Sequence, residues 1–137
     1  MVWIGTVSGF SRCLLGLDYI ALLCIIWRMR KELVAASAEP LILSLLAQGE
    51  SYGYAIIQDI KARSREEIQW TDGMLYPVLH RLENNGWIKS RWVESDNGRK
   101  RKYYAISREG KKALAAQREE WMSVDRVMAS FGGASHV

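Results

Sequence analysis

Cysteine, proline and histidine are scarce in this 137-residue chain, which contains two of each. No histidine or cysteine lies at the spacing of a zinc site. The sequence also lacks the glycine-rich loop that binds nucleotide phosphates. We therefore expect neither an enzyme nor a protein that holds a metal or an organic cofactor.

Both cysteines, Cys13 and Cys24, lie in one apolar run over residues 13–27. If that run is helical, eleven residues separate the two Cα atoms by roughly 16 Å. This distance is too long for a disulfide. Free thiols, and hence a cytoplasmic protein, are expected.

The same apolar run leaves three interpretations open for the N-terminal extension, residues 1–30. The run is shorter than the roughly 20 residues of a membrane-spanning helix, and Asp18 at its centre would cost about 2.5–3.5 kcal/mol in a bilayer. The favoured interpretation is that Met29 is the physiological start and that residues 1–28 are a translated leader. An N-terminal docking helix ranks second and a membrane anchor third, so that we regard a membrane partner as unfavoured.

Two helical patterns follow this extension. Ser37 is a suitable N-cap for the first helix, and Gly49 a suitable end. Ser51 is predicted to cap the second helix, whose inward stripe comprises Ile56, Ile57 and Ile60.

A third helix is predicted from Thr71, its expected cap, to Asn85 and Gly86. The i, i+3, i+4, i+7 spacing of Leu75, Val78, Leu79 and Leu82 predicts its buried face.

After Gly86 the pattern changes from helical to alternating. Residues 87–95 and 101–107 read as two strands, joined by the turn signal Asp96-Asn97-Gly98. Trp87 and Trp92 are expected in the core of this hairpin. Ser107 is predicted to cap a last helix.

The last helix carries an apolar seam with one polar break. Its members are Leu114, Gln117, Trp121, Val124, Met128 and Phe131, at alternating spacings of three and four residues.

Together these patterns predict a mainly α fold with a small β-hairpin, namely a winged helix-turn-helix followed by a C-terminal dimerisation helix. The expected boundaries are 31–106 for the winged helix-turn-helix domain, 107–131 for the dimerisation helix and 132–137 for a tail.

The start of the third helix has an unusual composition. Pro77 crowds the carbonyl four residues back, which belongs to Gly73, and a glycine there lets the backbone adjust. The unpaired N–H groups of a helix N-terminus suit a phosphate, and Gly73 leaves room for a sugar-phosphate backbone. Tyr76, His80 and Arg81 on the outward face are candidates for hydrogen bonds to phosphates or base edges.

The charge of the chain is uneven. The net charge is +4, but residues 81–112 contain ten Lys/Arg against four Asp/Glu, a balance of +6. The tip of the hairpin, "GRKRK", concentrates this charge in Arg99, Lys100, Arg101 and Lys102. A basic hairpin next to a helix with outward donors favours double-stranded DNA as the partner.

At this point the sequence resembles a known family. The stretches "GESYGYAIIQDI", "DGMLYPVLHRLENNGWIKSRW" and "GRKRKYYAISREGKKAL" closely resemble the PadR family of bacterial transcriptional regulators. The resemblance implies a homodimeric winged-helix repressor that binds a palindromic operator, with Tyr76 and Pro77 at DNA and the basic wing on phosphate or in the minor groove. Trp121 is most simply an anchor of the dimer core. In some PadR relatives an aromatic residue on the last helix lines an effector cavity, so that the resemblance offers Trp121 a second role in binding a flat hydrophobic ligand.

The full set of residues expected to contact DNA combines both arguments. It comprises Tyr52, Tyr54, Thr71, Gly73, Met74, Tyr76, Pro77, His80, Arg81, Arg99, Lys100, Arg101 and Lys102. The expected dimer or effector residues are Leu114, Gln117, Trp121, Val124 and Met128. The alternatives to a repressor are a winged-helix module that binds an acidic protein, and a membrane-tethered regulator.

Overall fold

The computed structural model describes residues 31–132. The chain divides into two units, Met1–Ala36 and Ser37–Val137, and apart from the helical state of residues 31–36 all that follows concerns the second. The predictions for Cys13 and Cys24, for the apolar run 13–27 and for residues 133–137 lie outside the described residues.

Residues 31–132 form four helices and a three-stranded sheet. In chain order they are α1 (31–46), β1 (Ser51–Tyr52), α2 (Gly53–Arg63), α3 (Asp72–Asn84), β2 (Ile88–Glu94), β3 (Lys100–Ile106) and α4 (Arg108–Phe131). The strands are antiparallel and lie in the order β1-β3-β2. This architecture confirms the predicted fold class, a mainly α winged helix-turn-helix with a hairpin.

The core lies where α1, α2 and α3 meet each other and the base of the hairpin. The predicted stripes account for most of it, although Val78 and Ile57 are only partly buried. Its members are Ala38, Ile42, Leu43, Leu45, Leu46, Ile56, Ile60, Trp70, Leu75, Leu79, Leu82, Ile88, Tyr104 and Leu114.

The predicted caps of the first three helices are wrong in part. Residues 31–46 are helical throughout, so that Ser37 lies inside α1 rather than at its start. Ser51 belongs to β1, and Tyr52 occupies the N-cap position of α2. Thr71 is the N-cap of α3, but its side chain makes no capping hydrogen bond; its backbone carbonyl accepts from Met74 instead.

The predicted C-terminus of α3 and N-terminus of α4 are confirmed. Gly86 has a φ of 75°, the left-handed conformation in which glycine is favoured. The Trp87 N–H donates to the Leu82 carbonyl (3.0 Å), which completes the C-cap of α3. At α4 the Ser107 hydroxyl oxygen accepts from the Gly110 N–H at 3.0 Å.

The start of α4 is docked on the loop between α3 and β2. The Ser107 N–H donates to the Trp87 carbonyl (2.9 Å), and the Ser107 hydroxyl donates to the Gly86 carbonyl (2.6 Å). A Cβ atom on Gly110 would lie 2.0 Å from the Trp87 carbonyl oxygen. Only a glycine therefore fits at this position of the first turn of α4.

Candidate nucleic-acid interface

Helix α3 buries one face and presents the other to solvent. Leu75, Leu79 and Leu82 are buried, and the helix continues through Pro77. Every residue of this region that the sequence predicted at DNA is exposed, namely Thr71, Gly73, Met74, Tyr76, Pro77, His80 and Arg81. Within residues 31–132 this face of α3 is left uncovered, as the outer face of a recognition helix is.

Tyr76 lies against the first residue of α2. A Cβ atom on Gly53 would come within 2.9 Å of the Tyr76 hydroxyl oxygen and 3.3 Å of Cζ. The absent side chain of Gly53 therefore lets the phenol lie across the start of α2 while 41% of the residue stays exposed. The sequence pattern gives no signal for this role of Gly53.

The hairpin presents its basic residues on two faces because side chains alternate along a strand. Lys102 points towards α3, where its Nζ lies 3.5 Å from Glu83 Oε2 and 5.4 Å from the Tyr104 ring centroid. Arg101 points the other way, with Cζ 4.7 Å from the ring centroid of Tyr52.

Strand β1 is the reason that Tyr52 reaches the wing. It pairs Tyr52 with Tyr103 of β3, and their ring centroids lie 5.3 Å apart. The alternating pattern of the sequence predicted a two-stranded hairpin without this third strand, because two residues are too few to show alternation.

A groove of about 520 Å³ separates the start of α2 and α3 from the wing. Seven of the residues predicted at DNA line it: Tyr52, Tyr54, Tyr76, Arg99, Lys100, Arg101 and Lys102. Gly53 and Trp92 complete the lining, and neither was predicted there. The other predicted residues, Thr71, Gly73, Met74, Pro77, His80 and Arg81, lie on the exposed face of α3 outside this lining.

Trp92 was predicted in the core of the wing, and that prediction is wrong. The residue is 67% exposed. In β2 it pairs with Lys102, so that it lies beyond the buried part of the sheet, near the hairpin tip.

The electrostatics of the groove are dominated by the wing. Among the described residues, Arg99, Lys100 and Arg101 take part in no ion pair. Lys102 is partly offset by Glu83, whose pKa is lowered by the hydrogen bond that Ser90 donates and, to a smaller extent, by the charge of Lys102. The groove is therefore positively charged, as a phosphate-binding surface is.

The structure gives Arg81 a partner that the sequence did not identify. Its Nε donates to Glu39 Oε1 of α1 at 2.6 Å, and the second carboxylate oxygen accepts from Gln117 Nε2 of α4 at 3.2 Å. Glu39 was not among the predicted site residues, because its role depends on three helices meeting.

Catalytic and metal chemistry find no support in residues 31–132. No cluster of His, Cys, Asp and Glu there suits a metal ion. Residues 49–53, "GESYG", match the Gly-x-Ser-x-Gly spacing of some hydrolases. Ser51, however, pairs with Tyr104 in the sheet, and within the described range no hydrogen bond links its hydroxyl to a histidine. No helix in the described part of the chain is long and apolar enough to cross a membrane.

An exposed helix beside a basic β-hairpin, on a three-helix core, defines a winged-helix DNA-binding protein. Comparison with known sequences agrees: the sequence profile of the family described as "Transcriptional regulator PadR-like family" matches residues 42–116. The chain belongs to the PadR-like family of transcriptional regulators. It is thus a DNA-binding regulator, and this family consists of non-enzymatic proteins.

The alignments of this chain with individual relatives extend over most of each relative's length. A transcriptional regulator of Mycobacterium tuberculosis is 33% identical over 106 residues, which are 77% of this chain and 94% of the relative. A solved transcriptional regulator from Clostridium thermocellum has a TM-score of 0.68 and 36% identity, over 73% of this chain and 97% of that one. A PadR family regulator from Eggerthella lenta has a TM-score of 0.73 and 27% identity, over 85% and 99%.

Proposed function

We propose that this regulator is a homodimeric repressor that binds a palindromic operator, with α3 in the major groove and the wing on the flanking phosphates. The observation that carries the proposal is the basic groove between Tyr76 and the wing, to which residues far apart in sequence converge. The proposed DNA-binding domain is 31–106, the dimerisation helix 107–131. Because its target is chromosomal DNA, the proposed location is the cytoplasm.

The α3 contacts in this proposal fall into two classes. Tyr76, with its phenol held at the groove, and His80, one turn further along, are placed to hydrogen-bond base edges or phosphates. Gly73 and Pro77 have no bulky side chains, which leaves room for DNA at the start of the helix. The N–H groups of the first turn suit a phosphate. Glu39 already binds Arg81, which reduces the charge that Arg81 offers to DNA.

The dimer in this proposal forms through the apolar seam of α4. Leu114 is buried at its start, whereas Trp121, Val124, Met128 and Phe131 are exposed in the single chain. Such a row of large apolar side chains is typical of a surface that another helix covers. A second copy of the same helix, as in a twofold dimer, would also explain a palindromic operator.

The proposal includes release from DNA by a small hydrophobic effector. Trp121 is 39% exposed on the seam, and the side-chain oxygen of Gln117 is buried without a hydrogen-bond partner in the described chain. An aromatic surface with a free acceptor beside it suits a flat ligand that carries one donor. A ligand of this class should weaken operator binding by the wild type and leave a Trp121→Ala variant unaffected.

A mobility-shift assay against the protein's own promoter region tests the function. We expect sequence-specific binding that Tyr76→Phe and Arg101→Ala each weaken. Equal binding to operator and scrambled duplexes would show that the protein binds DNA only through nonspecific positive charge. That result would favour an acidic protein as its partner. Transcription in vitro from the bound promoter then separates repression, which lowers the transcript, from activation.

Salt dependence tests the wing separately. The slope of log K against log salt should fall by about one unit for each phosphate that the protein no longer neutralises. Simultaneous replacement of Arg99, Lys100 and Arg101 by alanine should therefore flatten the slope markedly. An unchanged slope would refute the phosphate role of the wing.

A further inference from the structure

Trp92 exposes a large apolar surface at a position where the fold does not require it. The residue is 67% exposed on β2, although burying an aromatic side chain of this size is worth several times the thermal energy. Exposed large aromatics of this kind are common where one protein surface meets another molecule. Among residues 31–132 the indole is therefore largely uncovered and available to a partner.

The surroundings of Trp92 restrict the class of that partner. The indole lines the basic groove with Arg99 and Lys100, and with Lys100 and Glu94 it lines a second concavity of about 470 Å³ on the wing. An apolar protein partner placed here would strip water from cations that have no ion pair in the described chain, which is costly. A partner that combines negative charge with an apolar surface removes this cost.

Duplex DNA combines negative charge with an apolar surface. Deoxyribose rings line the minor groove between the two phosphate rows, and apolar side chains enter this groove in many DNA complexes. The 13-residue helix α3 is about 20 Å long, which suits the major groove. A wing beside it then meets the phosphates and sugars that flank the same half-site.

We propose that Trp92 is a DNA-contact residue, with its indole packed on the deoxyribose edge of the minor groove next to phosphates bound by Arg99 and Lys100. This inference rests on the proposed function, since it assumes the same face on DNA. It adds an uncharged, sequence-tolerant contact to a wing otherwise understood through its cations.

The salt slope distinguishes an indole contact from a cationic one. Removal of the indole releases no counterions, so that Trp92→Ala should lower operator affinity about tenfold, near the effect of removing one aromatic–nucleotide stack, without changing the slope. Trp92→Phe should keep most of the affinity. The matched control, Lys100→Ala, lies in the same two concavities and should lower the slope by about one unit for each phosphate that Lys100 binds.

Titrations of the full chain at several salt concentrations, by fluorescence anisotropy on operator and scrambled duplexes, decide the matter. Because 67% of Trp92 is exposed, its variants should unfold at the wild-type temperature and keep the wild-type sedimentation coefficient. Wild-type affinity in Trp92→Ala at every salt concentration would overturn the inference, and so would a slope that falls as in Lys100→Ala.

The two duplexes also separate this inference from the proposed function. A sugar contact needs no particular sequence, so that Trp92→Ala should lose affinity for both duplexes. If the wild type binds both duplexes equally, the proposed operator recognition fails, yet a weaker Trp92→Ala variant still supports the indole contact. If the wild type prefers the operator and Trp92→Ala binds both duplexes with wild-type affinity, only the proposed indole contact is refuted.

Discussion

Arg81 on α3 and Glu39 on α1 form an ion pair, with Nε 2.6 Å from Oε1. The second oxygen of the same carboxylate accepts from Gln117 on α4. One side chain therefore links the helix proposed to face DNA to the helix proposed to hold the dimer together. Because the side chains of Arg81 and Glu39 are 54% and 23% exposed, the pair should stabilise the fold by no more than about 1 kcal/mol.

The first prediction concerns the charge of Arg81. While Glu39 binds it, Arg81 should contribute less to phosphate binding than the unpaired Arg99, so that Arg81→Ala should change the salt slope less than Arg99→Ala. Glu39→Gln should free the guanidinium and raise affinity for scrambled DNA, with a slope steeper by about one unit for each additional phosphate bound. An Arg81→Ala slope as flat as that of Arg99→Ala would mean that Arg81 leaves Glu39 when DNA binds.

The second prediction concerns the place of Tyr76. In Gly53→Ala the new methyl group should push the Tyr76 hydroxyl out of position, because it would lie 2.9 Å away. The phenol is at the exposed end of a flexible side chain, so that we expect a stability change under about 1 kcal/mol and an operator affinity several-fold lower.

Gly73→Ala is the control for the stability of Gly53→Ala, whereas for operator affinity it is a separate test, because Gly73 is itself proposed to leave room for DNA. A Cβ atom there meets only Thr71 Oγ1, at 3.8 Å, and the free protein should fold normally. If Gly73→Ala nevertheless weakens operator binding, DNA must occupy the space that the new methyl group fills. Wild-type operator affinity in Gly53→Ala would show that the Tyr76 position does not matter.

The third prediction tests how α4 is attached. Gly110→Ala places a methyl group 2.0 Å from the Trp87 carbonyl oxygen, a backbone atom that cannot move without displacing the loop. We expect a decrease of about 1–3 kcal/mol in the free energy of unfolding, the usual range for overpacking, measured by urea denaturation. Gly132→Ala, where the nearest atom would be 3.9 Å away, should be near neutral, and equal stabilities of the two variants would contradict the docking.

The fourth prediction concerns pH and the link between α3 and the wing. The hydrogen bond from Ser90 is the largest cause that lowers the pKa of Glu83 below its ordinary value of 4.5. A lowered pKa in the folded state stabilises the fold above pH 4.5, and this contribution is lost as the pH falls through the folded-state pKa. Ser90→Ala should thus be less stable than the wild type by about 0.5–1 kcal/mol at pH 7.

Thermal melts from about pH 7 to about pH 3 measure this difference. The gap between the wild type and Ser90→Ala should narrow below pH 4.5 and approach zero when Glu83 is protonated. A gap that stays constant over this range would assign the Ser90 effect to packing rather than to the carboxylate.

The fifth prediction concerns the seam of α4. Replacement of Val124 and Met128 by glutamate should produce monomers by sedimentation and abolish operator binding, because four like charges cannot be buried between two helices. The control is Met122→Glu, since Met122 is also exposed but lies about 100° away from Trp121 around the helix. A double variant that remains dimeric would place the interface elsewhere.

Much of the surface that we propose to face DNA could be located from the sequence because its structural signals are local. The helical spacing of Leu75, Leu79 and Leu82 fixes which face of α3 is buried, and the outward face follows from it. The Asp96-Asn97-Gly98 turn brings four consecutive basic residues to the hairpin tip, and Gly98 has the expected positive φ of 74°. Ser107 caps α4 as its pattern predicts.

The tertiary structure decided what depends on neighbours distant in the chain. Strand β1 exists because Tyr52 finds a partner in β3, 51 residues later, and Gly53 matters because Tyr76 crosses it. Trp92 lies on the same face of β2 as the buried Ile88, as a core residue would, yet no element within residues 31–132 covers it. Periodicity reports which face of an element is apolar; it cannot report whether another element lies over that face, because that depends on how the helices and strands pack.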